Sequence, residues 1–490
     1  MDSSPDRNPR WAAPLAIALT AAAWWFAAGL QPIWWAAWLA PLPLLAWSIR
    51  TRAHWAALGT FAAFALGGLT LWEYVRDVIK LPIGVCLQIL LEPALLMVPA
   101  VLLFRALLRR GRACAAMLSL PLAATGLSWV AAALSPHGTY GHIAYSQMDA
   151  LPVIQIAAVA GVWGIGFLLW LFPAMLAVLT APFATGQSRK YAALVGSVAI
   201  ASALGYGAWR LHDGDAAEPH VRVGLVNVGL ARGSEVDLET ANGRRLLDAY
   251  LAQMDRLAAR GARVVVAPEA SLLVRSHAIA PLQALADRRG VRVLIGVEDR
   301  SVPQLKRNAA LVFEPRTASP TVYYKRRFIP GFEDRYTAGT TRTMLPGDPR
   351  IGVAICKDLD FTDIGPAHAR LDARLLLVPA WDFGVDGWMH ARIAMLRGVE
   401  GGFAMARVAR NGALTLSDDR GRVLAEASSV NRDAPTTLLA ELPLRTTRTP
   451  YSRWGDAPGW LSLLAAAALA ASLGFGRSRR HRASPQIGRG

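Results

Sequence analysis

Eight long apolar stretches constrain this 490-residue chain more than any other feature: residues 11–29, 33–48, 55–72, 82–104, 113–134, 161–182, 191–209 and 458–475. Most approach the roughly 20 residues that a helix needs to cross about 30 Å of hydrocarbon. A chain with that pattern is a multi-pass membrane protein, with about eight transmembrane helices expected and the 33–48 stretch the shortest. The first stretch does not read as a cleavable signal, because Trp24 and Trp25 sit inside a long apolar core and further spans follow at once. Residues 1–210 therefore form a membrane domain of about seven helices, 220–445 a globular domain, 458–476 a last crossing and 477–490 a basic tail.

Orientation follows from the short loops. Arg7 and Arg10, Arg50 and Arg52, Arg105 to Arg112, and Arg189 with Lys190 mark one side. The loop from Ser135 to Ala150 on the other side has no Lys or Arg. Both termini are expected in the cytoplasm, the last with Arg477, Arg479, Arg480, His481 and Arg482, and the globular domain across the membrane from them. The net charge of +17 is then largely the positive-inside bias of loops and tail, not a nucleic-acid footprint. Trp34, Trp35, Trp38 and Trp47 suit interfacial belts. Glu92, inside an apolar stretch beside Pro93, is costly in lipid and is by default a functional candidate. His137 and His142 share a loop without a further residue at ligand spacing, so no metal is expected, and no cofactor either.

From residue 221 onward, β-branched runs alternate with amphipathic stretches. Strands are predicted at Val221–Val228, Arg263–Ala267, Val291–Val297, Ala309–Phe313, Thr321–Tyr324, Ile351–Ile355, Leu375–Val378, Ala404–Val408 and Ala413–Leu416. Helices are predicted at Val236–Arg260, Ile279–Arg289, Thr362–Leu371 and Trp388–Glu400. The interleaving implies a mixed α/β arrangement of sheet covered by helices.

Glu269, Lys325 and Cys356 each follow the carboxyl end of a predicted strand, where they can converge on one sheet rim. Cys356 is alone in the globular half, and a single thiol in an oxidising compartment has no internal disulfide partner. A cysteine nucleophile needs a base, for which Glu269 is suited. Lys325 can stabilise an oxyanion, and Lys325 and Lys357 would both favour a thiolate.

The blocks Val266-Ala267-Pro268-Glu269, Tyr324-Lys325-Arg326-Arg327-Phe328-Ile329-Pro330 with Glu333, and Gly352-Val353-Ala354-Ile355-Cys356 resemble the three catalytic blocks of the nitrilase (carbon-nitrogen hydrolase) superfamily. Asn308-Ala309-Ala310 and Asn411-Gly412 resemble its strand openings and hairpins. The whole chain is similar to one membrane branch of it, the apolipoprotein N-acyltransferase family, through Gly141 to Gln147, Gln155 to Phe167, and Trp388, His390, Met395, Arg397 and Glu400. The resemblance implies an αββα sandwich on a helical membrane body, in the periplasm of a bacterial inner membrane. It also implies a ping-pong acyl transfer in which Glu269 is the base, Lys325 holds the oxyanion and Cys356 carries a thioester. The acyl donor would be a phospholipid such as phosphatidylethanolamine, and the acceptor the diacylglyceryl-cysteine of an apolipoprotein. Glu333 would orient Lys325 or assist the base, Asp358 would support the site, and Lys357, Trp381 and Asp382 would bind substrate.

This sequence departs from the family pattern around the substrate. Lys357 and Asp358 follow the nucleophile where the family has Tyr and Glu, Ala267 stands where Trp is usual, the segment Asn227–Val236 lacks a Trp, and Gly331-Phe332 reverses the usual order. Two other readings use the same residues: a membrane-tethered amidase that passes the acyl group to water, and an acyltransferase with another amine acceptor. A binding protein with a vestigial site is a third.

Overall fold

The computed structural model describes residues 9–212, 219–229, 236–445 and 448–481. Arg7, residues 230–235 of the segment after the first strand, and residues 482–490 of the basic tail lie outside them.

Among the described residues, six helices are long and apolar enough to cross a membrane: Ala53–Leu71, Ile83–Leu108, Ala113–Leu134, Ala157–Leu179, Gly186–His212 and Ala457–Gly474. Two of the expected eight crossings are shorter. Ala12–Ala27 has 16 residues, a rise of about 24 Å at 1.5 Å per residue. The 33–48 stretch splits into Ala36–Leu39 and Leu42–Ser48 around Pro41, because proline has no amide hydrogen to continue the ladder. The last helix runs on to His481, through the start of the expected tail.

Aromatic packing joins the helices at depth. Trp24 meets Phe64 edge-on at 4.7 Å and stacks on Trp170 at 5.7 Å. Trp34 and Trp35 are exposed, as an interfacial belt requires, but Trp47 is buried and Trp38 donates to Gln147 Oε1 at 2.8 Å. Those two rings are packing residues, contrary to expectation. Arg105 donates to Ser48 O and Arg112 to Ser472 Oγ, at 2.9 and 2.6 Å, so two of the basic loop regions and the end of the last helix meet at one end of the bundle.

The α/β half contains strands β1 (His220–Asn227), β2 (Val264–Val266), β3 (Leu272–Val274), β4 (Arg292–Asp299), β5 (Arg307–Phe313), β6 (Thr321–Tyr324), β7 (Thr343–Met344), β8 (Ile351–Val353), β9 (Leu375–Trp381), β10 (Ala404–Arg410), β11 (Ala413–Ser417), β12 (Val423–Ser428) and β13 (Thr436–Pro443). One sheet has the order β13-β1-β2-β4-β5-β6, with β3 paired to β4; the other runs β12-β11-β10-β9-β8-β7. Each has a parallel centre, β1/β2/β4 and β8/β9/β10, and antiparallel flanks.

Side-chain alternation explains the layering. Val264 and Val266 enter the core between the sheets together with Leu375 and Leu377. Val265 faces the other way, onto Tyr250 and Met254 of the helix Ala241–Ala259. Leu376 and Val378 turn to the outer face of the second sheet, where Met389, Ile393, Leu396 and Val399 of the helix Gly387–Gly401 cover them. That outer core is continuous with the core of the membrane helices. The second helix layer is thus sandwiched between a sheet and the membrane body.

The helix predicted from Val236 starts at Ala241, because the Thr240 side chain caps it by accepting from Gly243 N at 3.0 Å. Strands β3, β7, β12 and β13 were not anticipated. The first two span only three and two residues, and β12 is mainly exposed, without a buried stripe to mark it.

Candidate active site

Glu269 lies three residues beyond β2, Lys325 directly follows β6 and Cys356 lies three beyond β8. The first two belong to one sheet and the third to the other. The site therefore spans the rims of two stacked sheets, not one rim as the strand pattern suggested. Glu269 N donates to Ala380 O of β9 at 3.3 Å, a direct tie between the sheets at this point. Gly296 makes room for that loop: a Cβ there would stand 2.5 Å from Pro268 O and 2.6 Å from Glu269 Cα.

Lys325 Nζ donates to Glu269 Oε1 and Glu333 Oε1, both at 2.7 Å. Asn308 Nδ2 also donates to Glu269 Oε1, at 2.6 Å, and Glu333 Oε2 accepts from Ile329 N at 3.0 Å. All four side chains are buried. Glu269 Oε2 has no hydrogen-bond partner among the described residues, which leaves that oxygen open to a proton. Burial would lower the Lys325 pKa, but the charges of Glu269 and Glu333 override it and hold the ammonium firmly protonated. Burial raises the Glu269 carboxyl, against the pull of Lys325 and with a push from Glu333.

Cys356 opens a 3₁₀ turn, Cys356–Asp360, with φ at +42°. A non-glycine residue in that region is held by its surroundings. Burial, then the negative charge of Glu269, pushes the thiol well above its ordinary pKa, with Lys325 opposing. Its Sγ lies 3.6 Å from Trp381 O.

Asp358 is fully buried beneath this turn. Its carboxylate accepts from Tyr323 OH at 2.6 Å, Ile355 N at 3.0 Å, Arg326 N at 3.1 Å and Arg327 N at 2.9 Å. It thereby pins the cysteine turn to the segment that carries Lys325. Lys357 does not lie along the thiol. Its ammonium pairs with Asp360 Oδ2 at 3.0 Å and approaches His137 Nδ1 at 3.4 Å.

Cys356, Lys357 and Trp381 line one cavity that continues between the membrane helices past Ile89, Leu90, Phe64 and Trp170. Glu92 lines the same cavity. Phe383 is in its wall, but Asp382 is not: that carboxylate is buried in a two-pronged ion pair with Arg407, with Nη1 to Oδ2 at 3.0 Å. Asp382 was expected at the substrate; the arginine turns it into support beneath the site. Sequence reasoning passed over the contacts of Asn308, Arg407 and Tyr323, and took His137 only as a possible metal ligand. A buried polar residue opening or filling an otherwise apolar strand, as Asn308 and Arg407 do, is the signal available for them.

Comparison with known proteins agrees at both ends of the chain. The model of the apolipoprotein N-acyltransferase N-terminal domain matches residues 20–175, and that of the carbon-nitrogen hydrolases matches residues 227–450. The apolipoprotein N-acyltransferase of Geobacter metallireducens is 25% identical over 92% of this chain and 93% of its own. That of Methylococcus capsulatus is 27% identical over 76% of each chain. The chain belongs to the apolipoprotein N-acyltransferase family, the membrane branch of the nitrilase superfamily.

Proposed function

We propose that this chain moves a fatty acyl group from a phospholipid, through a thioester on Cys356, to the α-amine of the N-terminal diacylglyceryl-cysteine of an apolipoprotein. The observation that carries the proposal is the shared cavity: the nucleophile stands at one end of a space whose other end is apolar and lies between membrane helices. An amidase for small water-soluble amides has no need of such a space, whereas an acyl chain does.

In the first step Glu269 takes the thiol proton, and Cys356 Sγ attacks the ester carbonyl while Lys325 faces the oxyanion. The C–O bond breaks, and the proton on Glu269 passes to the departing lysophospholipid alkoxide. In the second step the free amine attacks the thioester, the C–N bond forms and the C–S bond breaks. Glu269 then carries a proton from the amine to the thiolate. A carboxyl raised by burial suits a group that must both take and return a proton. Glu333 positions Lys325, and Asp358 positions the cysteine turn; Lys357 and Trp381 belong to the substrate cavity. The membrane in this reading is the bacterial inner membrane, with the α/β half in the periplasm and the basic loops in the cytoplasm, a sidedness that the charge of the loops supports.

The direct test is to incubate purified protein with phosphatidylethanolamine and read the intact mass. We expect one acyl adduct on the wild type and none on Cys356→Ala. Ammonia release from short amides, with no adduct from phospholipid, would establish the amidase reading instead.

A further inference from the structure

Beside Cys356, the cavity is lined by a cluster of groups that the acyl-transfer chemistry does not use. Asp360 is buried at 1% exposure. Its Oδ2 holds Lys357, but its Oδ1 has no hydrogen-bond partner among the described residues, and His390 Nδ1 stands 3.9 Å away. The Tyr140 hydroxyl, next to that of Tyr74, also lacks an aligned partner. His390 Nε2 lies 3.3 Å from Asp386 Oδ2, which accepts from Tyr74 OH at 2.7 Å. Asp360, Tyr140, His390 and His137 all line the same cavity as the nucleophile.

We infer that this cluster is a subsite for a primary ammonium group, with Asp360 Oδ1 and the Tyr140 hydroxyl as its acceptors. The inference rests on the acyl-transfer reading for its place in the reaction, but not for the binding itself. A buried carboxylate oxygen left without a donor is costly, and an ammonium supplies three donors to a site of this size. Charge points the same way. Asp360 holds one fixed cation, Lys357, through Oδ2, while Asp386 sits behind the cavity wall against His390. His137 adds none, because burial and then the Lys357 charge lower its pKa to about 4. Burial would also lower His390, yet Asp386, then Asp360, raise it, so the carboxylates favour positive charge here and a bound ammonium competes with the His390 proton for it. Both proposed substrates bring a primary amine: the ethanolamine of a phospholipid headgroup and the α-amine of the acceptor. Asp360 and the Lys357 that holds its other oxygen are an i,i+3 pair on the turn of the nucleophile itself.

The test separates binding from turnover. In the full-length protein, we expect dodecylamine to slow alkylation of Cys356 by iodoacetamide at least tenfold more than dodecanol does. Asp360→Asn and Tyr140→Phe should each erase that difference; the second removes only a hydroxyl and leaves the Lys357 pair in place. Equal protection by amine and alcohol, or an amine effect unchanged in both variants, would overturn the subsite. Amine-specific protection without any acyl adduct from phospholipid would instead overturn the acyl-transfer reading and leave the subsite standing. Acyl loading assigns the source. Loss of a preference for phosphatidylethanolamine over phosphatidylglycerol in Asp360→Asn marks the donor headgroup. Unchanged loading with a tenfold higher KM for a diacylated peptide marks the acceptor amine.

Discussion

Burial and the charge of Glu269 hold the Cys356 thiol in its protonated form, while Lys325 pulls the other way. Glu269→Gln removes the negative charge and keeps a side chain of the same shape. We expect it to abolish acyl transfer while speeding alkylation of Cys356 by iodoacetamide near pH 7, because the pull of Lys325 on the thiol would then no longer be countered by the Glu269 charge, although burial would still raise it. Slower alkylation in that variant would mean that Glu269 already acts as base toward the resting thiol. Asp358→Asn halves the acceptors of a buried group that serves four donors, so we expect a loss of about 2–4 kcal/mol in stability, read as a lowered Tm. Glu269, Lys325 and Cys356 could be singled out in the sequence because each follows a strand. Asn308 and Arg407 could not be placed, because their meaning lies in which carboxylate they reach, and partners from separate strands are not encoded in local spacing.

The helix Ala157–Leu179 is broken at Gly161, whose φ of +61° and ψ of −162° are open only to glycine. The break frees the Val162 amide, and Glu400 Oε1 accepts it at 2.8 Å from the helix Gly387–Gly401. A methyl group at 161 would strike the Tyr451 ring. Gly161→Ala should therefore cost about 1–3 kcal/mol from backbone strain alone, visible as lower yield of folded protein from membranes. Burial raises Glu400 to about 7, against the pull of Arg397. A carboxyl whose folded value exceeds its unfolded one gives stability that is present at low pH and is lost as pH rises through the folded value. Tm should fall between about pH 4.5 and 7, and that slope should flatten in Glu400→Gln. Amphipathic periodicity located the helix at 387–401 within a residue, but it could not tell that both of its faces are covered, one by sheet and one by membrane helices.

For the whole molecule, the α/β half is not an independent domain on a tether. Met389, Ile393 and Leu396 belong to a core that continues into the helical body, and Thr139 Oγ1 of a membrane-side loop donates to Asp360 O at 2.7 Å on the nucleophile turn. Expressed alone, residues 219–445 should expose that core and aggregate; a monomeric, cooperatively melting fragment on size-exclusion chromatography would contradict this. Hydropathy made the division into membrane and α/β halves legible. The depth of the contact between the halves was not legible, since a residue facing lipid and one facing another helix are equally apolar.

The cavity that begins at Cys356 and ends among the membrane helices also has a kinetic consequence. An acyl donor that enters through such a space is counted in two dimensions: the rate should follow its mole fraction in the surface, not its amount per litre. Adding an inert detergent at fixed total lipid should then slow the reaction as the donor is diluted among neighbours, even though nothing has been removed from the tube.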